Sequence, residues 1–185
     1  TSNPRSTVGT STEIYDYLKL LFSRIGRTVS PVSGQEVKKD TVTDVINFIS
    51  GMESGTSVTV LCPLHAHNNR SLKEELAVLL QKGFNRVLIN GQLSKIEELL
   101  DDQSIGNSQS GKDVEIKIVI DRVSFSDDDE TLSRLADSVQ TAFFEGRGDC
   151  MLEIGGSMHL FCDRFELDGL RFEEPSPNFF SFNNP

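Results

Sequence analysis

Residues 113–122 read DVEIKIVIDR, and apolar side chains recur along them at every second position. The apolar positions of that register are Val114, Ile116, Ile118 and Ile120. The positions between them include Glu115, Lys117 and Val119. Successive side chains of a strand point to opposite faces of a sheet, so this period of two predicts a strand with one face against a core. The stretch therefore places a β-sheet at the centre of the expected fold.

Helix and strand patterns continue on both sides of this strand. Helices are predicted at 42–50, from Ser71 to Gly83, from Ser94 to Leu100 and after Ser126, each beginning at a residue type that caps helix N-termini. Strands are predicted at 57–62, 84–90, 150–154 and 158–162, with tight turns at Asn90-Gly91 and Gly155-Gly156. Residues from Asp163 onward are expected to be irregular. The order predicts an α+β fold, with one mixed sheet, packed helices and a helical arm in front.

The helical arm is predicted from a stripe of apolar residues near the start of the chain. The stripe consists of Ile14, Tyr17, Leu18, Leu21, Phe22 and Ile25. Spacings of three and four residues place these side chains on one face of a helix. Thr10 and Glu13 have the spacing of a capping box, and Gly26 is predicted to end the helix in the left-handed conformation.

Charge is distributed unevenly along the chain. The 185 residues carry 18 basic and 28 acidic side chains, a formal charge of -10. Residues 1–50 are nearly neutral, so the acidic excess falls in residues 51–185. A DNA-binding surface needs clustered Lys and Arg to neutralise phosphates, which makes residues 51–185 a poor candidate for direct DNA contact. An acidic domain that binds another protein is the simplest interpretation.

Common nucleotide-binding and catalytic motifs are missing from the sequence. The chain contains neither a Walker A loop nor a strand–GxGxxG–helix pattern, and no Ser–His–Asp or Cys–His constellation emerges from the spacing. We therefore expect no catalytic residue in this chain and no cofactor bound to it. The three cysteines form no C-x-x-C pair, which favours reduced thiols in a cytoplasmic protein over a disulfide framework.

One metal-binding pattern remains as an alternative. Cys62, His65 and His67 form C-x-x-H-x-H directly after a predicted strand. Soft and borderline ligands at a strand end are compatible with zinc, so a small metal-dependent hydrolase is one alternative function. A polar connection is the simpler interpretation, because hydrolases of this kind need further ligands and His159 is the only other histidine. We therefore expect no metal site in this chain.

Two arginines are candidates for a protein interface. Arg86 lies in the strand predicted at 84–90, and Arg122 ends the alternating strand. If these strands pair, the two guanidinium groups share one exposed part of the sheet. Arginine suits interfaces because its planar fork binds carboxylates with two parallel hydrogen bonds. Ordinary surface salt bridging is the alternative role for both residues.

Several runs of the sequence closely resemble the UvrA family of bacterial nucleotide excision repair. The two ends carry the most specific of them, SNPRSTVGT at 2–10, TEIYDYLKLLFSRIG at 12–26 and FSFNNP at 180–185. Between them GFNRV at 83–87, IKIVIDR at 116–122 and RLADS at 134–138 occur in the family's order. The resemblance spans essentially the whole chain, and it identifies the chain as a piece of a longer protein.

The resemblance implies a role for the chain within its parent protein. Family members are dimeric ATPases of the ABC type that find DNA damage in the cytoplasm and load UvrB, using ATP, magnesium and zinc. Residues 39–155 would form the UvrB-binding domain, while 1–38 and 156–185 would belong to the adjoining signature domain. By motif position, Arg86 and Arg122 would contact acidic side chains of UvrB. ATP hydrolysis would belong to other parts of the parent.

Two departures from the family pattern concern zinc. Family members commonly carry Cys-Pro-x-Cys or Cys-Pro-x-His after the first helix, where this chain has Ser30 to Gly34, reading SPVSG. They also carry C-x-x-C-G before the final motif, where this chain has Phe165, Asp168 and Gly169. In the family this motif would be half of a zinc module, whose other cysteine pair would lie beyond Pro185. We therefore expect no zinc in this part of the protein.

A further alternative is direct DNA contact by the helical arm. The arm contains Arg5, Lys19, Arg24 and Arg27 and lacks the acidic excess of the remaining chain. Such contact would be sensitive to salt and would disappear when residues 1–30 are removed.

Overall fold

The computed structural model describes residues 13–65, 70–101 and 115–180. The chain divides into two compact units. One, which we call the terminal unit, comes from the two ends of the chain, up to Lys39 and from Arg164 onward. The other, the sheet unit, is Asp40–Asp163. The division at 1–38, 39–155 and 156–185 expected from the sequence stays a prediction.

The sheet unit contains four helices and six strands within the described residues. The helices are α2 (Val42–Ser50), α3 (Leu72–Gln81), α4 (Ile96–Asp101) and α5 (Asp129–Glu145). The strands are β1 (Ser57–Pro63), β2 (Arg86–Ile89), β3 (Gln92–Lys95), β4 (Ile116–Ser124), β5 (Asp149–Ile154) and β6 (Ser157–Cys162). The α+β class predicted from the sequence is confirmed.

The six strands form one sheet in the order β3-β2-β4-β1-β5-β6. Every neighbouring pair is antiparallel, so the prediction of a mixed sheet was wrong in this respect. β1 and β2 run in the same direction and are connected through α3, but β4 lies between them and pairs with both. The pairing of β4 therefore separates the two strands that would otherwise have formed a parallel pair.

One hydrophobic core joins the helices to one face of the sheet. Helix side chains in it include Val45, Ile49, Leu76, Val139 and Phe143. Strand side chains in it include Val58, Val60, Val87, Ile118 and Leu152. Burial of these side chains stabilises the fold by about 1.5–3 kcal/mol each. In β1 and β5 the apolar residues of this core alternate with residues that point to the other face, as the period of two requires.

Two predicted boundaries shift in the structure. Ser94 belongs to β3 rather than starting a helix, because β3 pairs with β2 across the Asn90-Gly91 turn, both of whose residues have positive φ. Helix α5 begins after Asp128, not after Ser126. The Phe125 side chain is buried, and its backbone forms hydrogen bonds with Gly55 and Thr56. These contacts keep the chain extended beyond the end of β4, so the helix starts later. The cap at Asp128 accepts a hydrogen bond from the Thr131 backbone N–H at 2.8 Å.

The terminal unit contains helix α1 (Ile14–Ile25) and a short hairpin of β7 (Glu166–Leu167) and β8 (Leu170–Arg171). The hairpin lies in the sequence that we expected to be irregular. Gly26 has φ -62° and ψ 143°, so the chain leaves α1 in an extended conformation, and the predicted left-handed cap was wrong. A Cβ atom at this position would lie 2.3 Å from the Phe22 carbonyl oxygen. Only glycine avoids this clash, which explains why it occupies the position. Thr10 lies outside the described residues, and Glu13 forms no capping hydrogen bond with its side chain.

Candidate protein-interaction surface

The sheet face opposite the helices, which we call the open face, carries both arginines. Two leucines show that this face is partly apolar. Leu61 is fully buried and Leu88 is 9% exposed, yet neither belongs to the core between helices and sheet. Both instead line a cavity of about 350 Å³ on the open face. The sheet therefore has apolar side chains on both faces, although helices of the described residues pack against only one of them.

Strand β2 places Arg86 on the open face by simple alternation. Val87 is buried in the core, so its neighbours Arg86 and Leu88 point to the other side. Across the hairpin, Arg86 lies opposite Lys95 and Leu88 opposite Leu93, which adds one cation and one apolar side chain to the same face.

Arg122 reaches the open face because β4 contains a β-bulge. Val60 of β1 lies opposite Asp121, but the next residue, Leu61, lies opposite Val119. Ile120 is thus an extra residue in β4, and both Ile120 and Asp121 point toward the helices. Strict alternation from Ile118 and Ile120 would have placed Arg122 in the core. The bulge reverses the alternation, as bulges do when they re-aim a side chain.

Hydrogen bonds hold Asp121 on the helix side of the bulge. Arg134 of α5 donates from Nε and Nη2 to the two carboxylate oxygens, both at 2.8 Å. The Ser138 hydroxyl donates at 3.1 Å, and the Arg122 backbone N–H donates at 2.8 Å. Burial acts to raise the pKa of Asp121, but these hydrogen bonds outweigh it and hold the pKa below its ordinary value. Asp121 therefore stays ionised and links the bulge to α5.

The cavity combines an apolar floor with two arginines. Its lining residues are Ser57, Thr59, Leu61, Arg86, Leu88, Gly91, Leu93, Val119, Arg122, Glu153, Gly155 and Gly156. The strands carrying the arginines are neighbours, as the interface hypothesis required. Among the described residues, Arg122 forms a long hydrogen bond from Nε to Ser57 Oγ at 3.4 Å.

The charges around the cavity leave the arginines available. Lys95 forms an ion pair with Glu98 at 3.2 Å, and Lys117 with Glu115 at 2.8 Å. In the part of the chain that the structure describes, neither Arg86 nor Arg122 forms an ion pair. These two guanidinium groups therefore keep their hydrogen-bonding capacity for an external acceptor.

The alternative metal site does not assemble around Cys62. Its side chain is fully buried in the core, where burial and the neighbouring acidic groups raise the pKa of the thiol to about 12. His65 is bonded elsewhere, with Nε2 at 2.8 Å from the Gly146 carbonyl oxygen. His67 lies outside the described residues. Within residues 13–65, 70–101 and 115–180, no three His, Cys, Asp or Glu side chains cluster as metal ligands.

The basic residues of the arm are partly engaged by their own unit. Lys19 pairs with Asp16 at 2.7 Å and lies 4.8 Å from the centre of the Tyr15 ring. Arg27 approaches Glu36 at 3.6 Å. Arg5 lies outside the described residues. The apolar stripe of α1 is only partly covered: Ile25 is 68% exposed, and the Phe22 ring, 53% exposed, lies 6.0 Å from the Phe180 ring.

Comparison with known proteins decides the family. Residues 40–155 match the family described as the UvrA interaction domain, which is more than half of the chain. The chain belongs to the UvrA family. Its sequence is 36% identical over 190 residues to the UvrABC system protein A of Methanothermobacter thermautotrophicus. It is 35% identical over 207 residues to the protein of the same name from Agrobacterium fabrum.

Each alignment covers 99% of this chain and about one fifth of the UvrA relative. The chain therefore corresponds to one part of a repair protein of that family. The matched domain contains the whole open face up to β5, including both arginines. Within the described residues, no helix has the length and apolar character that a membrane span requires.

Sequence reasoning identified Arg86 and Arg122 but missed the surroundings of both. Lys95 and Leu93 were overlooked because β3 was interpreted as the start of a helix. The apolar floor formed by Leu61 and Leu88 had no distinctive signal, because a leucine in a strand pattern is ordinarily assigned to the core.

Proposed function

We propose that this chain is the partner-binding module of a UvrA protein and that its open face binds UvrB. One observation carries the proposal. In a sheet unit with an acidic excess, two arginines that form no ion pair with any described residue line a single cavity with an apolar floor. The family match to the UvrA interaction domain supports a role in binding a partner within the repair system.

The chemistry of the open face indicates which part of UvrB fits. Arg86 and Arg122 suit carboxylates, because each guanidinium can donate two parallel hydrogen bonds to one carboxylate. Leu61 and Leu88, which line the same cavity, suit an apolar side chain of UvrB. That side chain would enter the cavity between the two carboxylates that the arginines bind. Buried arginine and apolar anchors surrounded by a polar rim are typical of binding hot spots. The acidic remainder of the unit repels other acidic surfaces and thereby directs the partner to this patch.

The activity of the parent protein is part of the same proposal. On the resemblance to UvrA, the parent would hydrolyse ATP with magnesium, act as a dimer, bind damaged DNA through its other domains and work in the cytoplasm. None of these activities is assigned to residues of this chain. Its own role is to bring UvrB to the site that the other domains have found.

Titration calorimetry of the chain with UvrB from the same genome tests the proposal. Arg86→Ala and Arg122→Ala should each weaken binding roughly 30-fold or more, since truncating one partner of a buried charge pair costs at least about 2 kcal/mol. Arg171→Ala is the matched control, because Arg171 is an exposed arginine of the terminal unit, and it should leave the affinity unchanged. Unchanged affinity in both cavity variants would refute the proposed anchors.

The salt dependence of binding provides an independent check. Wild-type affinity should fall as salt is raised, and the Arg86→Ala and Arg122→Ala variants should show a shallower dependence because each lacks one charge contact. If instead the chain binds duplex DNA with a steep salt dependence and ignores UvrB, DNA contact replaces the protein partner as the function.

A further inference from the structure

Two turns of the terminal unit have the same spacing. In the first, Ser30 and Ser33 are followed by Gly34, and in the second, Phe165 and Asp168 are followed by Gly169. Both glycines have positive φ, 70° and 75°. Pairs of side chains separated by two residues are the usual arrangement of ligands in structural zinc sites. These are also the positions at which the resemblance to UvrA proteins implies cysteines.

The structure brings the two turns into direct contact through one carboxylate oxygen. The hydroxyls of Ser30 and Ser33 both donate hydrogen bonds to Oδ2 of Asp168, the second at 2.6 Å. The residues are 138 and 135 positions apart in the sequence. Hydrogen bonds from Ser30 and Ser33 lower the pKa of Asp168, so the acceptor is an ionised carboxylate.

Each turn is also closed by its own backbone. In the first turn the Gly34 N–H donates to the Ser30 carbonyl, and the Ser30 N–H donates to the Gln35 carbonyl, both at 2.9 Å. In the second turn the Phe172 N–H donates to the Phe165 carbonyl at 2.9 Å. The side chains at the four key positions are thus presented by two preformed turns.

The four side chains do not fit zinc. Structural zinc sites use four thiolate or imidazole ligands, whereas these positions offer one carboxylate, two hydroxyls and a phenyl ring. The phenyl ring of Phe165 has no lone pair to donate. The hydroxyls of Ser30 and Ser33 already donate their protons to Asp168.

We propose that Asp168, rather than a metal ion, cross-links the two turns, so that the terminal unit closes without zinc. The cross-link joins the segment that leads into Asp40–Asp163 to the segment that returns from it. A second bridge supports the same closure, from Lys39 Nζ to Glu174 Oε1 at 2.6 Å. Tying the two segments together removes conformational freedom that the long intervening chain would otherwise give them.

Tyrosine fluorescence can follow the terminal unit selectively. The chain has no tryptophan and two tyrosines, Tyr15 and Tyr17, and both lie in α1 of the terminal unit. Asp168→Ala should lower the midpoint of the tyrosine unfolding transition, whereas Glu173→Ala, an exposed acidic residue of the same unit, should not. Chelators should leave the wild-type transition unchanged. Equal midpoints for Asp168→Ala and the control, or loss of wild-type stability with a chelator, would overturn the proposal.

A gain-of-function variant tests the geometry itself. Combining Ser30→Cys, Ser33→Cys, Phe165→Cys and Asp168→Cys should create a tetrahedral thiolate site, because Asp168 already contacts Ser30 and Ser33 and Phe165 belongs to the same turn as Asp168. Cobalt added to the reduced variant should give one equivalent of tetrahedral absorption, and zinc should displace it. A double variant with only Ser30→Cys and Ser33→Cys should bind cobalt far more weakly. A folded fourfold variant that binds no cobalt would show that the turns lack this geometry.

Discussion

Replacing Asp121 with alanine should destabilise the sheet unit and disturb the placement of Arg122. Asp121 accepts four hydrogen bonds, two from Arg134, one from Ser138 and one from the Arg122 backbone. The carboxylate therefore ties the bulge of β4 to α5. Removing it leaves the bulge without its side-chain anchor and leaves the Ser138 hydroxyl with only the Arg134 carbonyl, 2.9 Å away, as its acceptor.

The size of the effect follows from the exposure of the donors. The Arg134 side chain is 58% exposed and regains hydration when Asp121 is removed, so its two hydrogen bonds are left out of the sum. Ser138 is only 8% exposed, and water replaces the lost bond poorly. A hydrogen bond to a charged group contributes about 1.5–3 kcal/mol to stability. Water can partly replace the bond from the Arg122 backbone N–H, so this bond contributes less than the one from Ser138. We therefore expect the variant to lose about 2 kcal/mol of stability.

Thermal unfolding followed by circular dichroism measures this loss. A change of about 2 kcal/mol corresponds to a decrease in Tm of roughly 6 °C for a unit of this size. Asp137→Ala is the control, since Asp137 is an exposed carboxylate on the same helix, and its Tm should stay near wild type. Equal Tm values for the two variants would refute the claim that Asp121 anchors the bulge.

The pH dependence gives a second test of the same residue. The pKa of Asp121 is lower in the folded chain than in the unfolded chain, so its contribution is fully present above the unfolded value of about 4. The contribution is lost as the pH falls through the folded pKa. The difference in stability between wild type and Asp121→Ala should therefore be constant near neutral pH and should shrink below about pH 4. A difference that does not change with pH would contradict the ionised carboxylate.

Two further predictions concern packing. Gly146→Ala should lower the free energy of unfolding by about 1–3 kcal/mol or more, because a Cβ there would lie 2.1 Å from a backbone oxygen. Gly51→Ala is the control, since its Cβ would lie 3.4 Å from the nearest atom, and it should be neutral. Urea titration measures both variants. Alkylation followed by mass spectrometry should modify Cys162 first and spare Cys62 and Cys150 until the chain unfolds, since burial raises the pKa of both protected thiols to about 12. Rapid labelling of either core cysteine in the native chain would contradict their placement.

The sequence predicted most of the secondary structure because the signals are local. The alternation of Ile116, Ile118 and Ile120 in β4, the helix N-terminal caps and the turn at Asn90-Gly91 each depend on residues a few positions apart, and the structure contains all of them. Thr41 and Ser71, which precede α2 and α3, each form a capping box with the acidic residue three positions later. The start of α5 was misplaced because Phe125 is held by backbone bonds to residues about 70 positions earlier. A local sequence pattern cannot predict a backbone hydrogen bond between residues that far apart.

At the candidate site, too, some features follow from neighbouring residues and others from residues far apart in the sequence. Their places in two predicted strands made Arg86 and Arg122 candidates for an interface, and the resemblance to UvrA proteins supplied the expected partner. The sequence could not place Arg122 on the open face, because uninterrupted alternation assigns it to the core side. Only pairing with β1 reveals the extra residue at Ile120 that changes its direction.

The amino-acid sequence by itself indicated the family and most of the helices and strands, since these signals come from neighbouring residues, and it supplied Arg86 and Arg122 as candidate interface residues. The tertiary structure decided which face Arg122 occupies and which side chains meet across the terminal unit. Asp168 reaches Ser30 and Ser33 only after the two ends of the chain have come together. Contacts between residues that far apart depend on the packing of the whole chain. A local sequence pattern therefore cannot predict them.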